Sequence, residues 1–204
     1  PKLVERDLGR IERARAALEA IEAIEAAGGT AHWHRCDLTD PEQVQAAVGA
    51  ALEASAGIDV LVHAAGLEIS HHLPDKPQAE YDLVFDVKAD GWHHLLRALG
   101  AEHRPAAVVA FSSIAGRFGN AGQTDYSAAN DLLCKSVSAL RAEGVRGIAI
   151  DWTAWAGIGM ASRGSIPKMM AMAGIDMLPA AEGTPVVGRE LGAGYIVTGS
   201  IRRQ

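Results

Sequence analysis

The chain has 204 residues, enough to bury the core of one domain of ordinary size. Hydrophobic residues make up 49% of it and charged residues 22%, a globular composition that excludes a disordered chain. A net charge of −6 argues against nucleic acid or an anionic membrane as the main partner, and the longest apolar runs are strand-sized, too short to cross a bilayer.

Ile11, Ala14, Leu18, Ile21 and Ile24 make a helical stripe that Gly28-Gly29 stops. Thr30 to Cys36 reads as a strand leading into Asp37-Leu38. Thr39-Asp40-Pro41-Glu42 is a capping-box start for a helix whose apolar face is Val44, Ala47, Val48, Ala51 and Leu52. Ile58 to Ala64 is a continuously apolar strand ended by Ala65-Gly66, and a polar loop with His71, His72, Pro74 and Pro77 follows. A helix over Tyr81 to Leu99 comes next, then a second apolar strand from Ala106 to Phe111 and a Ser/Gly loop. The chain continues with a helix from Tyr126, a strand from Gly147 to Trp152 and a Gly/Met-rich stretch. It closes with a short helix near Glu182 to Leu191 and a strand from Tyr195 to Thr198. Strands without alternation are buried on both faces, as in a parallel sheet covered by helices. Strand and helix in alternation predict a doubly wound α/β fold.

Two polar residues interrupt apolar stripes. Lys88 occupies a core-facing slot among Tyr81, Val84, Phe85, Trp92, Leu95, Leu96 and Leu99; Asn130 does so among Tyr126, Ala129, Leu133, Val137 and Leu140. An inward amine must find a partner, because burying an unpaired charge costs roughly several kcal/mol. The phenol of Tyr126, one turn before Asn130, is the expected partner. A buried lysine beside a buried tyrosine makes an acid, so the chain reads as an enzyme. In such sheets ligands bind beyond the carboxyl ends of the strands. Asp37, His63 to Gly66, Ser112-Ser113 and Thr153 to Gly159 all fall there. Cys36 and Cys134 lie far apart without metal-like spacing, which favours reduced thiols and a cytoplasmic setting. The pairs His71-His72 and His93-His94 point apart on a helix, and no metal is expected.

Phe-Ser-Ser-Ile-Ala-Gly at 111–116 with Tyr-Ser-Ala-Ala-Asn at 126–130 resembles the short-chain dehydrogenase/reductase superfamily. More narrowly, the chain resembles the ketoreductase domains of type I polyketide and related fatty-acid synthases. In the wider superfamily a lysine follows the tyrosine by four residues and an asparagine lies on the preceding helix; here Lys88 and Asn130 exchange those places, as in synthase ketoreductases. Val62-His63-Ala64-Ala65-Gly66 and Cys36-Asp37-Leu38-Thr39-Asp40 are similar to the family's cofactor-side motifs, and Trp152 to Met160 to its loop near the nicotinamide. The long helical lead-in and Gly122-Gln123 are similar to iterative polyunsaturated-fatty-acid and enediyne-type synthases.

The resemblance implies a Rossmann-like fold and a single ketoreductase-like catalytic domain over 1–204, excised from a larger multidomain synthase with neighbouring domains. It implies NADPH-dependent reduction of a β-ketoacyl thioester carried on an acyl carrier protein. Tyr126 would supply the proton, Ser113 would hydrogen-bond the same oxygen, Lys88 would lower the phenol's pKa and Asn130 would orient Lys88. Asp37, Leu38, His63, Ala64, Ala65, Gly66, Thr153 and Ala154 would face the cofactor. Two departures stand out. No strand and Gly-rich turn for the cofactor pyrophosphate occurs, so the first βαβ unit is expected to be lacking. Neither stereochemical signature is present: Leu67-Glu68-Ile69 stands where one class has Leu-Asp-Asp, and Phe118 where the other has tryptophan. The competing readings are a non-catalytic ketoreductase-like domain and a free-standing dehydrogenase acting on a small ketone or alcohol.

Overall fold

The computed structural model describes residues 2–162, 166–172 and 174–192. Among them, those up to His34 and those from Arg35 onward form two compact units. The first holds one helix, α1 (Lys2–Ala26). It ends where Gly28 takes φ of 85° and donates its N–H to Glu25 O, while Gly29 N–H bonds Ile24 O.

The second unit begins with α2 (Pro41–Ala54), capped by Asp40, whose carboxylate accepts from the Glu42 and Gln43 amides. Then come β1 (Val60–His63), α3 (Gln78–Leu99), β2 (Ala107–Ser113), the short α4 (Ile114–Phe118), α5 (Thr124–Ala142) and β3 (Arg146–Trp152). A two-residue strand β4 (Trp155–Ala156), α6 (Ile166–Met172), β5 (Leu178–Pro179) and α7 (Ala180–Leu191) follow. β1, β2 and β3 form a parallel sheet in that order, while β4 pairs in parallel with β5. This is the Rossmann-like α/β arrangement that the alternation predicts.

Trp92 from α3, Val108 and Ala110 from β2, and Leu133 and Val137 from α5 make the main core between two helices and one sheet face. Val44 and Val48 of α2 pack with Leu99 at the far end of α3. The apolar stripes therefore face inward, and Lys88, Asp125 and Asn130 are carried in with them.

Three expectations need correction or qualification. Thr30 to Cys36 forms no strand; no strand among the described residues pairs with its backbone, and Trp33 is 66% exposed. Continuous burial holds for β2 but not β1, where Val60 and Val62 stay 39% and 46% exposed. Among the described residues β1 is an end strand of the sheet, and apolarity alone does not tell an end strand from a central one. The strand expected at Tyr195 to Thr198 lies outside the described residues. Both cysteines are half-buried free thiols, and no helix among the described residues is long and apolar enough to cross a membrane.

Candidate active site

The site is built on the last three residues of β2. A strand presents alternate residues to opposite faces, but its carbonyls and its final side chains are all available where it opens into α4. Ser113 is the N-cap of α4: its Oγ accepts the Ala115 amide at 3.2 Å, which leaves the hydroxyl proton free to donate elsewhere. Ser112 Oγ donates to the Asn130 carbonyl at 3.2 Å and so ties β2 to α5. Phe111 supplies its carbonyl to the ammonium of Lys88 at 2.8 Å.

That last bond corrects an expectation. Lys88 is 3% exposed and does turn inward, yet its hydrogen-bond partner is a backbone carbonyl, not the phenol. Its Nζ lies 5.9 Å from the centroid of the Tyr126 ring. Burial lowers the ammonium from 10.5 to about 8. Space for it depends on Gly66, where a Cβ would stand 2.7 Å from Lys88 Cε. Beneath it, His63 is fully buried, its Nε2 bonds the Lys88 carbonyl at 3.1 Å, and its ring tilts against Trp92 at 5.6 Å. Burial lowers His63 to about 4, with the Lys88 charge adding to it, so Nε2 carries the single proton and donates.

Tyr126 sits in the first turn of α5, one turn ahead of Asn130. Asn130 Nδ2 donates to the Tyr126 carbonyl at 2.7 Å, and Asn130 Oδ1 is buried with no hydrogen-bond partner. Gly116 of α4 packs directly on this turn, since a Cβ there would stand 2.8 Å from Asn130 Cβ. Burial raises the Tyr126 phenol above its ordinary value; the neighbouring Ser113 and Asn130 side chains draw it back, and the Glu68 carboxylate raises it further. The expected lowering by Lys88 is therefore not what this site produces. The phenol's own desolvation outweighs its neighbours.

Lys88, Phe111, Ser113 and Tyr126 line one cavity of about 610 Å³ together with Ala64, Ala65, Gly66, Thr153 and Ala154. Its far walls are apolar: Ile114, Phe118, Trp155, Ile158, Met170 and Ile175. Phe111, Trp152 and Trp155 form an aromatic row along it, with centroids 5.4 and 4.6 Å apart. Phe118, at the rim, is 84% exposed. A second cavity of about 590 Å³ is lined by Asp37, Leu38, Gln43 and Ala65. Asp37 Oδ1 is already used by the Thr39 amide and hydroxyl, which hold the carboxylate below its ordinary range. Ala65 belongs to both cavities, and His63, expected to face the cofactor, lines neither. Asn130 lies behind Tyr126 and not on the cavity wall.

One feature escapes sequence reasoning altogether. Lys76 and Asp125 form an ion pair at 2.5 Å, with each side chain 1% exposed. The available signal is an aspartate placed immediately before Tyr126, which as a helix first-turn residue looks like an ordinary cap.

The model of the KR domain family matches residues 6–157, three-quarters of the chain. The chain belongs to that family. This KR domain is 32% identical over 191 residues to a polyunsaturated fatty acid synthase polypeptide of Thraustochytrium sp., covering 93% of the chain and 7% of that protein. It is 36% identical over 160 residues to the spectinabilin polyketide synthase system protein NorA′ of Streptomyces orinoci, covering 75% of the chain and 4% of that protein. It thus spans less than a tenth of these multidomain relatives. Among solved structures, the ketoreductase from the first module of phoslactomycin biosynthesis in Streptomyces sp. HK803 superposes with a TM-score of 0.76 at 28% identity, over 84% of this chain and 39% of that one. The KR domain thus has the short-chain dehydrogenase/reductase fold.

Proposed function

We propose that this KR domain reduces the β-carbonyl of an acyl thioester, delivered on an acyl carrier protein, to the β-hydroxyacyl thioester, with NADPH as reductant. The observation that carries the reading is the meeting of Tyr126, Ser113 and Lys88 in the lining of one largely apolar cavity, with the small residues Ala64, Ala65 and Gly66 beside them. The relatives named above are synthases, which favours a carrier-bound acyl substrate and neighbouring synthase domains as partners.

The residues fit the two ends of a dinucleotide. Ala64, Ala65, Gly66, Thr153 and Ala154 offer a flat ring a surface without bulk, and Ala65 joins that cavity to the one beside Asp37 and Leu38. A Gly-rich turn for the pyrophosphate has no counterpart among the described residues. NADPH held there would supply a hydride for the carbonyl carbon. Tyr126 gives its proton to the carbonyl oxygen as charge builds there. Ser113, whose acceptor side is satisfied by the Ala115 amide, turns its O–H toward the same oxygen. The resulting tyrosinate recovers a proton through the Lys88 ammonium, whose acidity has been brought toward neutrality by burial. Asn130 Oδ1, buried without a hydrogen-bond partner, keeps an acceptor free for a bridging water.

The test uses the full-length protein with a β-ketoacyl thioester and NADPH, following loss of the reduced nicotinamide by absorbance. Tyr126→Phe is expected to lose about 100-fold or more in turnover. A Tyr126→Phe variant working at the wild-type rate would sink the assignment.

A further inference from the structure

Lys76 and Asp125 join two stretches of chain that both send residues into the cavity lining, the segment after β1 through Gly66 and Glu68 and α5 through Tyr126. Lys76 lies between the Leu73–Asp75 turn and Pro77, in the segment joining β1 to α3; Asp125 is the second residue of α5. The ammonium is fixed twice, to Asp125 Oδ2 at 2.5 Å and to the Ile69 carbonyl at 2.5 Å. The carboxylate is fixed twice as well: Oδ1 accepts the backbone N–H of Tyr126 at 2.9 Å, and Oδ2 has no partner besides the ammonium. Further bonds join the same two stretches. His71 N–H donates to the Gly122 carbonyl at 3.0 Å, and Gln123 Nε2 reaches Ser70 Oγ at 3.5 Å. Gly66 and Glu68, from the segment that Lys76 closes, line the same cavity as Tyr126 and Ser113.

An ion pair this dry gains little stability over apolar side chains of similar size, while removing one partner leaves an uncompensated charge. What it does provide here is direction, since one carboxylate holds both the backbone N–H of Tyr126 and the lysine that bonds the Ile69 carbonyl of the 66–76 segment. We propose that the Lys76–Asp125 pair is a positioning device for Tyr126, locking the first turn of α5 to the 66–76 segment so that the phenol stays aimed into the cavity. The proposal rests on Tyr126 being the proton donor.

The experiment replaces the pair by apolar groups of similar size, Lys76→Met with Asp125→Leu, in the full-length protein. The double variant is expected to melt within a few degrees of wild type. Turnover of a β-ketoacyl thioester is expected to fall about 10- to 100-fold with KM nearly unchanged. A second readout needs no cofactor: the ultraviolet titration of the tyrosines, with the Tyr126 step assigned by difference from Tyr126→Phe. That step should move down toward the ordinary phenol range as the ring gains access to water. Wild-type turnover together with an unshifted Tyr126 titration would overturn the proposal. If the double variant does not fold, Lys76→Gln with Asp125→Asn, which removes both charges and keeps polar side chains of similar size, is read by the same two measurements and decides in the same way. Loss of positioning and failure of the functional reading stay separable, because only the latter leaves Tyr126→Phe active.

Discussion

Lys88 sits in a dry site at a cost to the fold. Its folded-state value of about 8 lies below the 10.5 of an ordinary lysine, so the unfolded chain holds the proton more tightly. Stability is therefore lowest below pH 8 and rises as the pH climbs toward 10.5, by roughly 3 kcal/mol in all. Lys88→Met should remove that slope. It should also gain about 1 kcal/mol at neutral pH, the orphaned Phe111 carbonyl taking back part of the benefit, while turnover is lost. Denaturant titrations across pH 7 to 10 would show this, and a variant with the wild-type slope would contradict it. His63 acts at the other end of the scale. Its folded value of about 4 against 6.5 means that the unfolded chain takes up a proton first, so stability drains away as pH falls from 6.5 to 4. The loss amounts to roughly 3 kcal/mol, and His63→Gln, which keeps a donor for the Lys88 carbonyl, should flatten it in acid denaturation. The inward turn of Lys88 and Asn130 is legible in the spacing of the residues around them. The partner of the amine is not, because a backbone carbonyl leaves no mark in a sequence.

At the scale of elements, two glycines separate packing from chemistry. At Gly116 an added Cβ meets Asn130 Cβ at 2.8 Å and the Asp131 nitrogen at 2.9 Å, so α4 and α5 would have to part. Gly116→Ala is expected to cost about 1–3 kcal/mol, read as a lowered thermal midpoint. At Gly66 the neighbour is the end of one side chain, Lys88 Cε at 2.7 Å. Gly66→Ala should leave the midpoint less affected and act mainly on turnover by displacing the ammonium; equal loss of stability at both positions would contradict that division. The helices are readable because their information is local: the stripes around Val84 and Leu133 give α3 and α5 nearly whole. Thr30 to Cys36 misleads because a strand is a property of a pair, and β-rich composition does not supply the partner. The Lys76–Asp125 pair is hidden for the same reason, its two halves lying on different elements with prolines drawing attention to the loop between them.

For the molecule as a whole, order is concentrated in β2. It is hydrogen-bonded on both sides, and Val108, Val109 and Ala110 are closed to solvent, whereas β1 has one partner among the described residues and two exposed valines. The amides of Val108 to Ala110 should exchange hydrogen only through global unfolding, and those of β1 through smaller openings. Faster exchange in β2 than in β1 would mean that the core lies elsewhere.

The placement of Phe111, Ser112 and Ser113 side by side makes the length of one strand a ruler for the chemistry. Three consecutive residues hold the amine, brace the helix that carries the phenol, and supply the second hydroxyl. Slippage by a single position would invert which face each presents and would misplace all three at once. Descendants of this chain are thus free to trim the exposed rim around Phe118, while a one-residue insertion between Ala107 and Ser113 is barred to any that keep these three contacts.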